Sequence, residues 1–189
     1  MRDAPELYGP KHRRIGEIHL TYARVAVDRA EARRHLDEAL EAFDAAIGPD
    51  HITTMITRRN LAVLAMEAGD LDAADAYLAD VQKVIDEDEP AHVGIRSDLK
   101  MLQASILFTR GDYEAALEPA TEAYAARADH DDPTNRLEVA LVYARVKWAA
   151  NVDREELPDL VRAAMKGVAD VPLNAGVLAD ARAFLEEHG

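Results

Sequence analysis

A histidine and a glutamate one helical turn apart, His35 and Glu38, are the first residues whose types and spacing could do chemistry. Side chains at positions i and i+3 of a helix lie on the same face, so the pair could seat a divalent cation. Metal sites in helix bundles repeat a Glu-x-x-His motif on further helices, and this sequence has no such copies. We therefore expect a solvated helix face here, with no metal and no cofactor.

His130 stands between acidic residues, Asp129 on one side and Asp131-Asp132 on the other. The group could bind a divalent cation weakly, but a charged loop before Pro133 explains it more simply. The sequence has no Gly-x-Ser-x-Gly, no phosphate-binding glycine loop, no His-Glu-x-x-His and no cysteine. These absences predict that the chain is not an enzyme.

The charge of the chain restricts its partners. A formal net charge of −14 over 189 residues argues against nucleic-acid binding, because phosphates would be repelled. No apolar run reaches membrane-spanning length, which predicts no membrane partner. Residues 1–6 lack the basic-then-apolar layout of a signal peptide, so we expect a cytoplasmic protein.

The basic residues are not spread evenly. Four segments hold twelve Lys and Arg against five Asp and Glu, whereas the rest of the chain holds ten against thirty-one. Arginine grips carboxylates through two parallel hydrogen bonds, so these segments could recognise an acidic ligand. The four segments are 11–26, 50–68, 91–110 and 134–150.

A repeat with a period near 42 residues positions these segments. Prolines recur at intervals of 39 to 43 residues and suit the first turn of a helix; they are Pro10, Pro49, Pro90, Pro133 and Pro172. The turns Gly69-Asp70 and Gly111-Asp112 lie 42 residues apart. Glycine ends a helix in the left-handed conformation, and aspartate caps the next one. Asp28 and Asp153 occupy the same capping place in the other two repeats.

The pattern predicts an all-α fold, an α-solenoid of four helix–turn–helix repeats with a C-terminal capping helix. We expect one domain over 1–189, with repeats at about 10–47, 48–89, 90–132 and 133–170. The capping helix at 172–188 presents Val177, Leu178, Ala181 and Leu185 on one apolar face. The expected helices lie near 11–27, 29–46, 50–68, 71–86, 91–110, 113–127, 134–150, 154–168 and 173–188.

The turn Gly111-Asp112-Tyr113-Glu114-Ala115-Ala116 resembles that of the tetratricopeptide repeat family, and 69–74 matches it with Leu in place of Tyr. The period is longer than the family's usual 34 residues. Gly48-Pro49-Asp50-His51 followed by Asn60-Leu61-Ala62 is similar to the kinesin-light-chain type of this repeat. HEAT-like and Rap-type helical repeats remain alternatives at this period.

The resemblance implies that the first helix of each repeat lines a concave groove. The groove positions that follow are Arg24, Arg59, Asn60, Ser105 and Arg145. In kinesin-light-chain-type repeats an asparagine at the place of Asn60 bonds the backbone of an extended peptide, since an amide offers both donor and acceptor. The alternative is that the arginines pair with acidic residues of neighbouring helices.

We therefore expect a non-catalytic protein- or peptide-interaction module, a scaffold or adaptor. Its partner would be a protein or peptide segment that is acidic or ends in a free carboxylate. The alternative is a peptide-sensing or regulatory portion of a larger bacterial signalling or transcription-regulatory protein. The exposed end faces of stacked repeats also leave room for a homodimer.

Overall fold

A computed structural model describes Gly9, residues 11–85 and residues 92–189. Within these residues the chain forms nine α-helices and no strand, which confirms the all-α prediction. Pro10 and Pro90 lie outside the described residues. The helices are α1 (Arg13–Val25), α2 (Arg29–Ala46), α3 (Ile52–Glu67), α4 (Leu71–Gln82), α5 (Val93–Arg110), α6 (Tyr113–Arg127), α7 (Pro133–Ala149), α8 (Leu157–Ala164) and α9 (Ala175–His188).

The prolines start helices less uniformly than we predict from the sequence. Pro133 is the first residue of α7, as expected, because its missing N–H has no partner to lose there. Pro49 lies ahead of α3, and Pro172 opens a short 3₁₀ turn, Pro172–Asn174, before α9. A second 3₁₀ turn, Arg154–Glu156, precedes α8 and leaves that helix only 8 residues long.

Two helices are capped by a histidine rather than by the preceding Gly-Pro pair. His12 Nδ1 accepts a hydrogen bond from the Arg14 N–H, and His51 Nδ1 accepts one from the Thr53 N–H. The two rings satisfy backbone donors that a helix start leaves unpaired. The shared Gly-Pro-x-His sequence is therefore a helix-start signal.

The helix–helix turns follow the predicted chemistry. Gly69 and Gly111 adopt φ of +80° and +84°. The next residue closes each turn, because Asp70 N donates to Ala65 O and Asp112 N donates to Leu107 O, both at 2.9 Å. In the fourth repeat Asn151 takes the left-handed conformation instead, with φ of 61°. Asparagine tolerates this conformation better than most residues do, which explains how the turn forms without glycine.

Only two of the four aspartates predicted as caps make a capping bond. Asp28 accepts from the Glu31 N–H at 2.8 Å, and Asp70 accepts from the Ala73 N–H at 3.1 Å. The Asp112 side chain makes no capping bond. Asp153 is itself left-handed, with φ of 46°, and its carboxylate binds Lys147 Nζ instead of capping.

The chain divides into two compact units, Met1–Leu99 and Lys100–Gly189. In the first unit α1 packs on α2, α2 on α3, and α3 on α4. Gly16 permits the close approach of α1 to α2, because an added Cβ there would lie 2.6 Å from the ring of Phe43. Phe43 is completely buried, so this contact is part of the core.

In the second unit α6 packs on α7, α7 on α8, and α9 on both α7 and α8. Leu178, Ala181 and Phe184 of α9 are buried in one apolar cluster with residues of α7 and α8. Val177 and Leu185 are partly buried against the same cluster. The last helix therefore covers the apolar face of the fourth repeat, as its sequence predicts.

Candidate functional site

A surface pocket in the first unit brings together three of the residues expected in the groove. Arg24, Arg59 and Asn60 line a cavity of about 330 Å³ between α1, α2 and α3. Its apolar part is formed by aliphatic residues from the same three helices, namely Leu20, Ala23, Ala32, Leu36, Val63 and Leu64. The pocket thus combines an apolar wall with two guanidinium groups and one amide.

Arg59 is already engaged by protein groups. Its Nε lies 3.3 Å from Asp98 Oδ2, and its Nη1 donates to Asn60 Oδ1 at 3.0 Å. The Arg59 and Asp98 side chains are only 28% and 17% exposed, so the ion pair is poorly solvated. Arg59 therefore fits the alternative stated from the sequence, in which an arginine pairs with an acidic residue of a neighbouring helix.

Arg24 differs from Arg59 in its surroundings. It is exposed near the end of α1, and no hydrogen bond or ion pair engages it within the described residues. Asn60 accepts through Oδ1 from Arg59, which leaves its NH₂ group as the donor available to a ligand. Arg24 and Asn60 therefore offer hydrogen-bond donors at the edge of an apolar pocket.

The other two predicted groove residues lie in the second unit and are not brought together in one pocket. Arg145 lines a cavity of about 370 Å³ with Phe108, Trp148 and His188 among its walls. Arg145 Nη2 also lies 3.5 Å from Asp180 Oδ1. Ser105 does not line this cavity, and its hydroxyl donates to the Met101 carbonyl one turn earlier at 2.9 Å.

A polar cluster joins α1 and α2, and the sequence pattern identifies two of its three residues. His19 Nδ1 lies 3.0 Å from His35 Nδ1 and 2.8 Å from Glu38 Oε2. His35 Nδ1 lies 3.5 Å from the same carboxylate oxygen. The expectation of a solvated face is wrong for His35, which is 8% exposed, because α1 packs over this side of α2. His19 was missed since it lies on another helix, 16 residues earlier.

Burial has an electrostatic consequence at His19. Desolvation lowers the pKa of this imidazole below its ordinary value of 6.5, and the nearby Glu38 carboxylate opposes the effect only in part. The neutral ring is favoured, and a neutral imidazole has one nitrogen with a free lone pair.

Arg58 is a polar residue whose role the sequence did not reveal. It is 9% exposed, and its Nη2 donates to Asp44 Oδ1 at 2.6 Å while its Nη1 donates to the Pro49 carbonyl at 3.1 Å. These bonds tie the middle of α3 to the end of α2 and to the connection between the two helices. Arg58 is therefore structural, whereas its neighbour Arg59 reaches the pocket.

His130 belongs to a loop, as predicted. Its Nδ1 accepts a hydrogen bond from the Asp132 N–H, and Asp132 in turn caps α7 through the Thr134 N–H. Within the described residues, the cluster on α1 and α2 is the one group of three His, Asp or Glu side chains close enough to share a metal ion. Among the same residues no helix combines the length and apolar character needed to cross a membrane.

Residues 28–85 match a protein-family profile described as tetratricopeptide repeat. The matched segment spans α2, α3 and α4, and it contains Arg59, Asn60 and the turn at Gly69. No curated protein and no solved structure matches the chain. Tetratricopeptide repeats mediate protein–protein interaction and are typically non-catalytic.

Proposed function

We propose that the chain is a non-catalytic interaction module for a protein or peptide segment, a role supported by the tetratricopeptide repeat match over residues 28–85. The segment binds at the pocket between α1, α2 and α3. The observation that carries the proposal is the pocket itself, where Arg24 and Asn60 offer donors beside aliphatic side chains. Scaffold or adaptor is the role that fits such a module.

The chemistry of the pocket favours a carboxylate on the ligand. Arg24 can hold a carboxylate by charge-assisted bonds, and the Asn60 NH₂ group can donate to a peptide carbonyl or to the same carboxylate. A cavity of about 330 Å³ is at the small end of ligand pockets, so it suits one aliphatic side chain and not a long buried stretch. An acidic segment, or a chain end with an apolar last residue and a free carboxylate, meets both conditions.

The second unit contributes to the same proposal through Arg145 and Ser105. Arg145 is 39% exposed at a cavity with aromatic walls, so it offers a second place for an acidic side chain. Ser105 is half-buried and retains its acceptor capacity after donating to Met101. The net charge of −14 excludes neither contact but disfavours nucleic acid as the partner.

The proposal is tested by binding measurements with C-terminal peptides. A library of peptides with acidic and aliphatic ends is prepared in two forms, with a free carboxylate and amidated, and screened against the full chain by fluorescence polarisation. We expect the free-carboxylate form to bind more tightly and added salt to weaken it. Equal binding of both forms, together with indifference to salt, would exclude carboxylate recognition.

A matched pair of arginine variants locates the contact. Arg24→Gln removes the pocket guanidinium that is not engaged by Asp98, and we expect affinity to fall about five- to tenfold, the effect of one exposed charge-assisted bond of about 1–1.4 kcal/mol. Arg13→Gln makes the same charge change on α1 but outside the pocket, where Arg13 pairs with Glu17. Equal losses in the two variants would show that only overall charge matters.

The second role, a peptide-sensing or regulatory portion of a larger bacterial signalling or transcription-regulatory protein, uses the same pocket. It differs in the origin of the ligand, which would be a small peptide or a segment of the same polypeptide. Sequencing the reading frame on both sides of these 189 residues distinguishes the two roles. A continuous frame that encodes a catalytic or DNA-binding domain would favour the regulatory role. A cytoplasmic location and a homodimer also stay proposals.

A further inference from the structure

The cluster on α1 and α2 presents three possible metal-ligating atoms to one point. His19 Nδ1, His35 Nδ1 and Glu38 Oε2 are separated by 3.0, 2.8 and 3.5 Å. His35 and Glu38 lie one turn apart on α2, and His19 faces them from α1, which packs on α2. Two packed helices therefore hold the three atoms, which makes the arrangement better defined than a cluster on a loop.

These separations correspond to one face of a metal coordination tetrahedron. Zinc binds imidazole nitrogen at about 2.0–2.1 Å and carboxylate oxygen at about 2.0–2.2 Å, so neighbouring ligand atoms in a tetrahedral site lie about 3.3–3.4 Å apart. The three observed distances are 2.8, 3.0 and 3.5 Å. Side-chain shifts of a few tenths of an ångström would therefore bring the three atoms to the separations of a tetrahedral zinc site.

Protons alone do not satisfy the cluster when both rings are neutral. The 2.8 Å approach to Glu38 requires a hydrogen on His19 Nδ1, and the 3.0 Å approach then requires His35 Nδ1 to accept. His35 would carry its hydrogen on Nε2, where Arg34 Nη2, itself a donor, lies 3.1 Å away. A cation above the triangle would receive a lone pair from each of the three atoms. His35 then still carries its hydrogen on Nε2, so Arg34 must turn away for the metal to bind.

The cluster is partly buried but open to solvent on one side. His35 is 8% exposed and the His19 side chain is 21% exposed, whereas the Glu38 side chain is 41% exposed and opens the cluster to solvent. The ring of Tyr22 lies beside both histidines, with its centroid 6.4 Å from that of His19 and 5.3 Å from that of His35. A metal ion would enter on the Glu38 side, and water would complete its coordination there.

We propose that His19, His35 and Glu38 form a binding site for a divalent transition metal ion of the zinc type. Two imidazole nitrogens and one carboxylate oxygen suit zinc and its first-row neighbours, whereas magnesium and calcium prefer oxygen ligands alone. The ion would link α1 to α2 and so stabilise the first helical pair. None of the three residues lines the proposed peptide pocket.

Arg34 lowers the metal affinity of the proposed site. Metal-bound histidines usually donate their second ring N–H to an acceptor, and outer partners of this kind change affinity about 10–100-fold. Here Arg34 faces His35 Nε2 with a donor and adds a positive charge. Its side chain is 57% exposed, so it turns aside when metal binds. Arg34→Gln removes the charge and supplies an acceptor oxygen, so this variant should bind zinc about tenfold more tightly.

The test uses the untagged full chain, stripped with EDTA, dialysed and titrated with ZnCl₂ in a calorimeter. We expect one zinc per chain and a thermal transition that rises with zinc concentration. Glu38→Gln and His19→Gln should each weaken binding about 100-fold or more, beyond the range seen for outer partners. The exposed carboxylate of Glu38 makes its variant the one least able to disturb folding, which circular dichroism verifies.

The matched controls are His130→Gln and Asp37→Asn. His130 lies in an acidic loop, and Asp37 is the acidic neighbour of Glu38 on α2, so both remove a surface ligand without touching the cluster. Zinc affinity should stay within about twofold of the unmodified chain, within the limit of effects at remote surface sites. The proposal would be overturned if either control weakened zinc binding as much as Glu38→Gln does. It would also be overturned if Arg34→Gln left zinc binding unchanged or weakened it.

Discussion

The contact between Gly16 and Phe43 allows one substitution to be predicted with its sign. A Cβ added at Gly16 would lie 2.6, 2.8 and 2.8 Å from three ring atoms of Phe43. Carbon atoms that pack well are separated by about 3.5–4.0 Å, so the overlap is about 1 Å. Phe43 is fully buried, and its ring has no solvent side to move into. Gly16→Ala should therefore destabilise the first helical pair.

The magnitude follows from two opposing terms. Replacing glycine by alanine inside a helix contributes up to about 1 kcal/mol through helix propensity. Overpacking a core costs about 1–3 kcal/mol, and three overlapping atoms place this contact in the upper part of that range. We expect a net loss of about 1–2 kcal/mol in the free energy of unfolding.

Gly176→Ala is the matched control for Gly16→Ala. Gly176 lies in the first turn of α9, and nothing lies within 4 Å of an added Cβ. The same chemical change should therefore stabilise by up to about 1 kcal/mol. Urea denaturation followed by circular dichroism measures the free energy of unfolding of both variants. Gly16→Ala should destabilise the chain less when Phe43→Leu is also present. A stabilising Gly16→Ala, or a loss unaffected by Phe43→Leu, would refute the reasoning.

Three further variants test the architecture. Arg58→Met should lower the free energy of unfolding by about 1–2 kcal/mol, since it removes the hydrogen bonds from the buried guanidinium to Asp44 and to the Pro49 carbonyl, and urea denaturation will measure it. Asp70→Ala should cost about 1 kcal/mol because Asp70 caps α4, whereas Asp112→Ala, which removes no capping bond, should cost less in the same assay. The hydrogen bond to the Asp153 carboxylate raises the pKa of Lys147, so the stabilisation from this pair is present below pH 10.5 and is lost as the pH rises above it. Lys147→Met should remove that dependence from the thermal transition, and an unchanged pH profile would contradict the assignment.

The helical repeat was predictable because its signals are local. The turn glycines Gly69 and Gly111 and the apolar periodicity involve residues only a few positions apart. Both signals can therefore be recognised from the sequence alone. The prediction of a helix cap was wrong where the same side chain can make a different local contact. Asp153 shares the position of the capping aspartates, but its left-handed backbone and the nearby Lys147 direct its carboxylate elsewhere.

The candidate sites were less predictable, because each depends on which residues of different helices meet. Alignment of the first helices selected Arg24, Arg59 and Asn60, and the structure brings these three to one pocket. It did not reveal that Asp98 engages Arg59 or that Ser105 lies away from the cavity that Arg145 lines.

By itself the sequence determined most of the helices and the turns between them, since helix propensity, capping and left-handed glycine act over a few residues. Tertiary structure decided which charges remain available and which ligand atoms converge. Arg58 is buried and Arg24 is exposed, although both are arginines of first helices. His19 meets His35 across 16 residues of sequence only because α1 folds back against α2. Ion pairing and metal coordination depend on distances of a few ångströms between helices, and no local pattern encodes those distances.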